Sequence, residues 1–116
     1  MAYFSSEKVQ GVIVIRFAFN EINLQQREEL KKELGEMYVP GETRFVFNLA
    51  KIGFLSSLVI ATMVFFAKKV REAGGDIKLC GLSEEAQYVI KVTQLDKMFA
   101  AFATEEEAIK SFGDKG

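Results

Sequence analysis

The stretch RFVFNLAKIGFLSSLVIATMVFFAKKVREAGGDIKLCGL, Arg44 to Leu82, reads as strand, helix, strand. RFVFNL, Arg44 to Leu49, carries the aromatic and β-branched residues of a central strand. Two adjacent serines, Ser56 and Ser57, then open an apolar run from Leu58 to Ala67 that only Thr62 interrupts. Serine is a preferred helix cap because its hydroxyl accepts from a backbone N–H that the first turn leaves unpaired. The pattern predicts a helix from about Ser57 to Ala73. Gly74-Gly75 ends it, and Lys68, Lys69 and Arg71 stand near its negative dipole end. DIKLCGL, Asp76 to Leu82, predicts the next strand. A helix long enough to cross between two strands implies that they pair in parallel.

The same reading extends in both directions. YFSSEKVQG predicts a short first strand that turns at Gln10-Gly11, and VIVIRFAF, Val12 to Phe19, predicts a second. Asn23 and Gln26 form a capping-box pattern before a helix whose Leu30, Leu34, Met37 and Tyr38 recur at helical spacing. Pro40-Gly41 ends that helix. SEEAQYVIKVTQ predicts a helix capped by Ser83. Met98 to Ala103 predicts a short edge strand, and Thr104 with Glu107 gives a capping box for a last helix. The expected fold is a single α/β domain over residues 1–116. Its mixed, mostly parallel sheet has about five strands flanked by about four helices, with right-handed crossovers.

Composition narrows the chemistry. At 116 residues and 49% apolar, the chain fits one core. A net charge of −1 offers no basic field for neutralising nucleic-acid phosphates or an anionic membrane. The chain has no histidine, which excludes a Ser-His-Asp triad, a histidine metal site and a phosphohistidine relay. No nucleophile–base spacing points to an enzyme, and nothing calls for a metal or cofactor. The single cysteine, Cys80, rules out an internal disulfide and reads as a small core residue in a reducing compartment. The N-terminus lacks the order of a signal peptide, and the longest apolar run is too short to span a bilayer. These features predict a cytoplasmic protein with no direct membrane insertion.

Three segments carry a more specific likeness: FVFNLAKIGFLSSLVIA, REAGGDIKLCGLSEEAQYVIKVTQLDKMF and TEEEAIKSF. Their joint spacing resembles the STAS domain of bacterial anti-sigma factor antagonists, ungapped from about Arg44 to Phe112 and more loosely to the N-terminus. The family core reads Phe-x-Asp-Ser-Ser-Gly-Leu-Gly before a long helix and a Gly-Gly stop. In its switching members, an anti-sigma factor that is itself a serine kinase phosphorylates the first of those serines, and a serine phosphatase reverses the step. Alignment on Phe54 and Gly74-Gly75 places Ser57 at the acceptor position, with Ser56 as the alternative after a one-residue slip. Ser56 then stands where the family has Asp, Leu58 where it has the second Ser, and Val59 where it has Gly. The resemblance implies a partner-binding surface around Asn23, Asn48, Ser56, Ser57 and Leu58. The alternative it leaves open is a non-phosphorylated STAS scaffold subunit of a signalling or lipid-transport assembly.

Overall fold

The computed structural model describes residues 3–41 and 43–113. A five-stranded sheet runs in the order β1-β2-β3-β4-β5. Its strands are β1 (Phe4–Val9), β2 (Val12–Phe17), β3 (Arg44–Asn48), β4 (Asp76–Cys80) and β5 (Ala100–Phe102). The helices are α1 (Leu24–Met37), α2 (Ser57–Glu72), α3 (Glu84–Val92) and α4 (Glu105–Lys110). β1 is antiparallel to β2, and every later pairing is parallel. The element order and the single mixed sheet agree with the sequence reading. A 3-10 turn at Leu95–Lys97, before β5, falls on the LDKM segment.

Local chemistry explains the hairpin. Gln10 and Gly11 both have positive φ, 52° and 81°, as a two-residue turn between right-twisted strands requires. Val9 then pairs with Val12, and Phe4 with Phe17.

The strand alternation sorts side chains onto two faces. Ile13, Ile15, Phe17, Phe45, Phe47, Ile77 and Leu79 point to the face covered by α1, α2 and α3. Val12, Val14, Val46 and Cys80 point to the other, where Ala108 and Ile109 of α4 cover them. β3 is central and buried at Phe45, Val46 and Phe47. α2 supplies Val59, Met63, Phe66, Ala67 and Val70 to the larger core. Phe66 sits with its ring centroid 5.1 Å from that of Phe45 and 5.9 Å from that of Phe47. Burying one such ring stabilises the fold by about 2–3 kcal/mol relative to leaving it in water. This packing fixes the axis of α2, and hence the direction in which its first turn faces.

α2 ends in a Schellman motif. The Gly75 N–H donates to the Val70 carbonyl and the Gly74 N–H to the Arg71 carbonyl, both at 2.9 Å. Gly74 takes the left-handed conformation, φ +86°, that the motif needs at this position. Arg71 then ties the helix end to the sheet through Asp76, at 2.9 Å, and through the Met98 carbonyl.

Candidate functional site

The β3–α2 loop and the first turn of α2 form the site at the C-terminal end of the parallel strands. Ser56 is the N-cap, with extended backbone, and its Oγ accepts from the Val59 N–H at 3.3 Å. Ser57 is the first helical residue and is exposed. Its hydroxyl has no hydrogen-bond partner among the described residues. The two serines therefore divide the work: one caps the helix, and the other presents a free hydroxyl beside it. The N–H groups of Ser57 and Leu58 precede the first intrahelical bond, which runs from Ile60 N–H to the Ser56 carbonyl at 3.0 Å. The positive end of the helix dipole and these donors suit an anionic group at this turn.

The loop that leads to Ser57 is held on several sides. The Leu49 N–H donates to the Cys80 carbonyl at 2.9 Å. The Ala50 N–H donates to Asn48 Oδ1 at 2.9 Å. At Gly53 the N–H donates to Asn20 Oδ1 at 3.2 Å, and the carbonyl accepts from the Ser83 hydroxyl at 2.7 Å. Ser83 meanwhile caps α3 by accepting from the Ala86 N–H. The loops before α1, α2 and α3 are thus hydrogen-bonded to one another. Such a frame removes most of the conformational freedom that a partner would otherwise have to freeze.

The residues expected at the surface fall into two groups. Ser56, Ser57 and Leu58 lie together on the first turn, with Leu58 half-buried and packed against the core. Asn23 is exposed at the start of α1, and its side chain completes a capping box with Gln26, as predicted. The Asn48 side chain belongs to the opposite face of the sheet. Its Nδ2 donates to Glu105 Oε2 at 2.6 Å, while its Oδ1 holds Ala50. Asn48 therefore acts on the loop from behind.

Sequence reasoning did not find the group that engages Asn48. Arg16 grips the Glu105 carboxylate through Nε at 2.7 Å and Nη2 at 2.9 Å, and also reaches Glu7 at 2.9 Å. The Arg16 guanidinium holds the Glu105 carboxyl below the usual carboxylate range, and the Asn48 amide adds to this, against partial burial. The available signal was alternation: Arg16 and Asn48 occupy inward positions on the α4 face of otherwise apolar strands. The Thr104 cap also differs in detail. Thr104 Oγ1 accepts from the Glu107 N–H, but Glu107 Oε1 accepts from Ala103 and not from the cap itself.

Two motif positions acquire a physical reading. Val59 is buried, 3% exposed, so a β-branched side chain there fills the core and leaves the approach to Ser57 open. Ser56 performs the capping that an aspartate performs equally well at this position. Phe54, three residues before Ser57 on the same loop, is 53% exposed, so one large apolar side chain stands in solvent close to the serine in the chain.

Losing these hydroxyls should affect stability unequally. Ser56→Ala is expected to cost about 1 kcal/mol, the usual value of a side-chain cap, and Ser57→Ala only a few tenths. Urea unfolding of both variants checks this. Equal losses would mean that the two hydroxyls share the cap.

A five-stranded mixed sheet flanked by four helices, with a tied-down loop and a free serine at a helix start, defines a small α/β domain. The chain belongs to the STAS domain family, whose model matches residues 3–108. BtrV of Bordetella bronchiseptica, assigned by name to the anti-sigma factor antagonists, is 24% identical over 106 residues, covering 91% of this chain and 90% of that one. A STAS domain protein from Planctomyces limnophilus superimposes with a TM-score of 0.84 at 24% identity, covering 97% and 99% of the two chains. The anti-sigma factor antagonist SpoIIAA in its unphosphorylated form superimposes with a TM-score of 0.76 at 22% identity, covering 97% and 98%. Among the described residues, no helix is long and apolar enough to cross a membrane.

Proposed function

We propose that this protein is an anti-sigma factor antagonist that binds an anti-sigma serine kinase and is released from it by phosphorylation of Ser57. The observation that carries the reading is the exposed, unpartnered Ser57 hydroxyl on the first turn of α2, presented by a loop fixed from three sides. Similarity to BtrV and SpoIIAA supports the partner class. SpoIIAA has also been solved in a phosphorylated form.

The kinase moves the γ-phosphoryl of ATP to Ser57 Oγ. The bond to the β-phosphate breaks, ADP leaves, and the hydroxyl proton passes to a base of the kinase. The product carries about −1.5 to −2 charge at the surface that docks the partner. No refolding is needed, because the lost fit and the new charge both act at the contact itself. A serine phosphatase restores the hydroxyl. The protein is a substrate and a ligand in this cycle and contributes no catalytic group. Its place of action is the cytoplasm.

Incubation with the ATPase-type serine kinase of the source genome and ATP, followed by phosphopeptide mapping, tests this. Phosphate is expected on Ser57. Ser57→Ala should abolish it, and Ser57→Asp should weaken kinase binding by at least about tenfold. No phosphate on Ser57 or Ser56, together with unchanged binding by Ser57→Asp, would overturn the switch in favour of a non-phosphorylated scaffold subunit.

A further inference from the structure

The outward stripe of α2 does not end at Ser57. Ser57, Ala61 and Phe65 follow one another at four-residue spacing, and all three are exposed, as are Lys68 and Lys69 one turn beyond. Phe65 is 41% exposed, while its neighbour Phe66 is 2% exposed. The Phe65 ring lies under two ammonium groups, Lys31 of α1 at 4.3 Å and Lys69 at 5.5 Å from its centroid. Eight residues of helix put this ring about 12 Å from Ser57, inside the footprint of one ordinary interface.

The charge around the ring is unbalanced. Lys68 and Lys69 make no ion pair among the described residues. Glu28 serves both Arg27, at 3.3 Å, and Lys31, at 3.7 Å, so one carboxylate answers two cations. An exposed aromatic ring whose faces carry cations is a pre-formed anchor: the ring supplies apolar area, and the ammonium groups supply donors for carboxylates.

We infer that Phe65, Lys31, Lys68 and Lys69 form a second contact patch that receives an acidic segment of the same protein partner that docks at Ser57. The inference rests on the reading of the Ser57 turn as a partner site, and it adds the chemistry of the partner: an apolar group against Phe65 and carboxylates against the lysines. A protein fits better than an anionic membrane. A single exposed ring offers little apolar area to insert into a bilayer.

Titration of the ATPase-type serine kinase of the source genome against four forms tests this. They are wild type, Phe65→Ala, the double variant Lys68→Glu/Lys69→Glu, and Ser57→Asp. Phe65→Ala and the lysine variant are each expected to weaken binding about tenfold or more. Wild-type affinity should fall as salt rises from about 50 to 300 mM, and the lysine variant should lose most of that dependence. Affinities within twofold of wild type for both variants, with Ser57→Asp weakened, would overturn this inference and leave the partner site standing. No binding by wild type would remove both. Flotation with phosphatidylserine vesicles that depends on Phe65, alongside unchanged kinase affinity, would overturn it in favour of a membrane contact.

Discussion

Gly75→Ala is expected to destabilise the domain by about 3 kcal/mol, clearly more than Gly74→Ala beside it. A methyl group at Gly75 would sit 2.0 Å from the Thr43 carbonyl oxygen and 2.8 Å from its carbonyl carbon. Neither is the movable end of a side chain. That carbonyl also accepts the Asp76 N–H at 2.9 Å, the bond that brings β4 alongside the entry to β3. Relief of the clash must therefore move the start of a central strand pair or break this bond. Overpacking of such a site costs about 1–3 kcal/mol, and more when backbone must shift. At Gly74 nothing lies within 4 Å of the added methyl, so only the left-handed φ of +86° is penalised, by about 1 kcal/mol. Equilibrium urea unfolding of both variants ranks them. An effect at Gly75 no larger than that at Gly74 would show that the strand entry yields easily.

These two glycines mark how far the sequence could be read. Gly-Gly after a helical run announces a stop, because one of the pair must take positive φ. That the second serves close approach to Thr43 is a tertiary fact with no local signature. The same division holds elsewhere. The strand order of elements, the caps at Asn23 and Ser83 and the turn at Gln10-Gly11 follow from short-range stereochemistry, and all were legible. Phe66 and Phe65 look alike in sequence, and only the axis of α2 decides that Phe66 enters the core and Phe65 faces out. For the site, the serines were legible as a helix start, but their division of labour was not. Which hydroxyl caps depends on one residue of helix phase, and boundaries are the least determined feature of any sequence reading. The side-chain bonds of Asn48 were hidden for another reason. Its partner Glu105 lies 57 positions away, on an element that meets β3 only in the folded domain. Cys80 reads the same at both levels: it is buried at 1% exposure, and burial raises its thiol pKa to about 11, which keeps it a protonated core residue.

Phe66→Ala should remove about 3–5 kcal/mol of stability, a large share of the 5–15 kcal/mol that such a domain holds in total. The ring is 2% exposed and is the point where α2 meets the central strand, against Phe45 edge-on and Phe47 face-on. Its loss leaves a cavity against Phe45 and Phe47 of the buried central strand, where little collapse can compensate. Phe65→Ala is the internal control, with the same chemistry one position away on the exposed face and an expected loss below about 1 kcal/mol. Thermal unfolding of the pair separates packing from composition. The consequence reaches the Ser57 turn, because the packing of α2 on β3 aims its N-terminus. Held well below its melting temperature, Phe66→Ala should still accept phosphate at Ser57, while amide exchange through the first turn of α2 speeds up. A Phe66→Ala protein as stable as Phe65→Ala would mean that the helix is held to the sheet by its other buried residues, Val59, Met63 and Val70, without need of the aromatic stack.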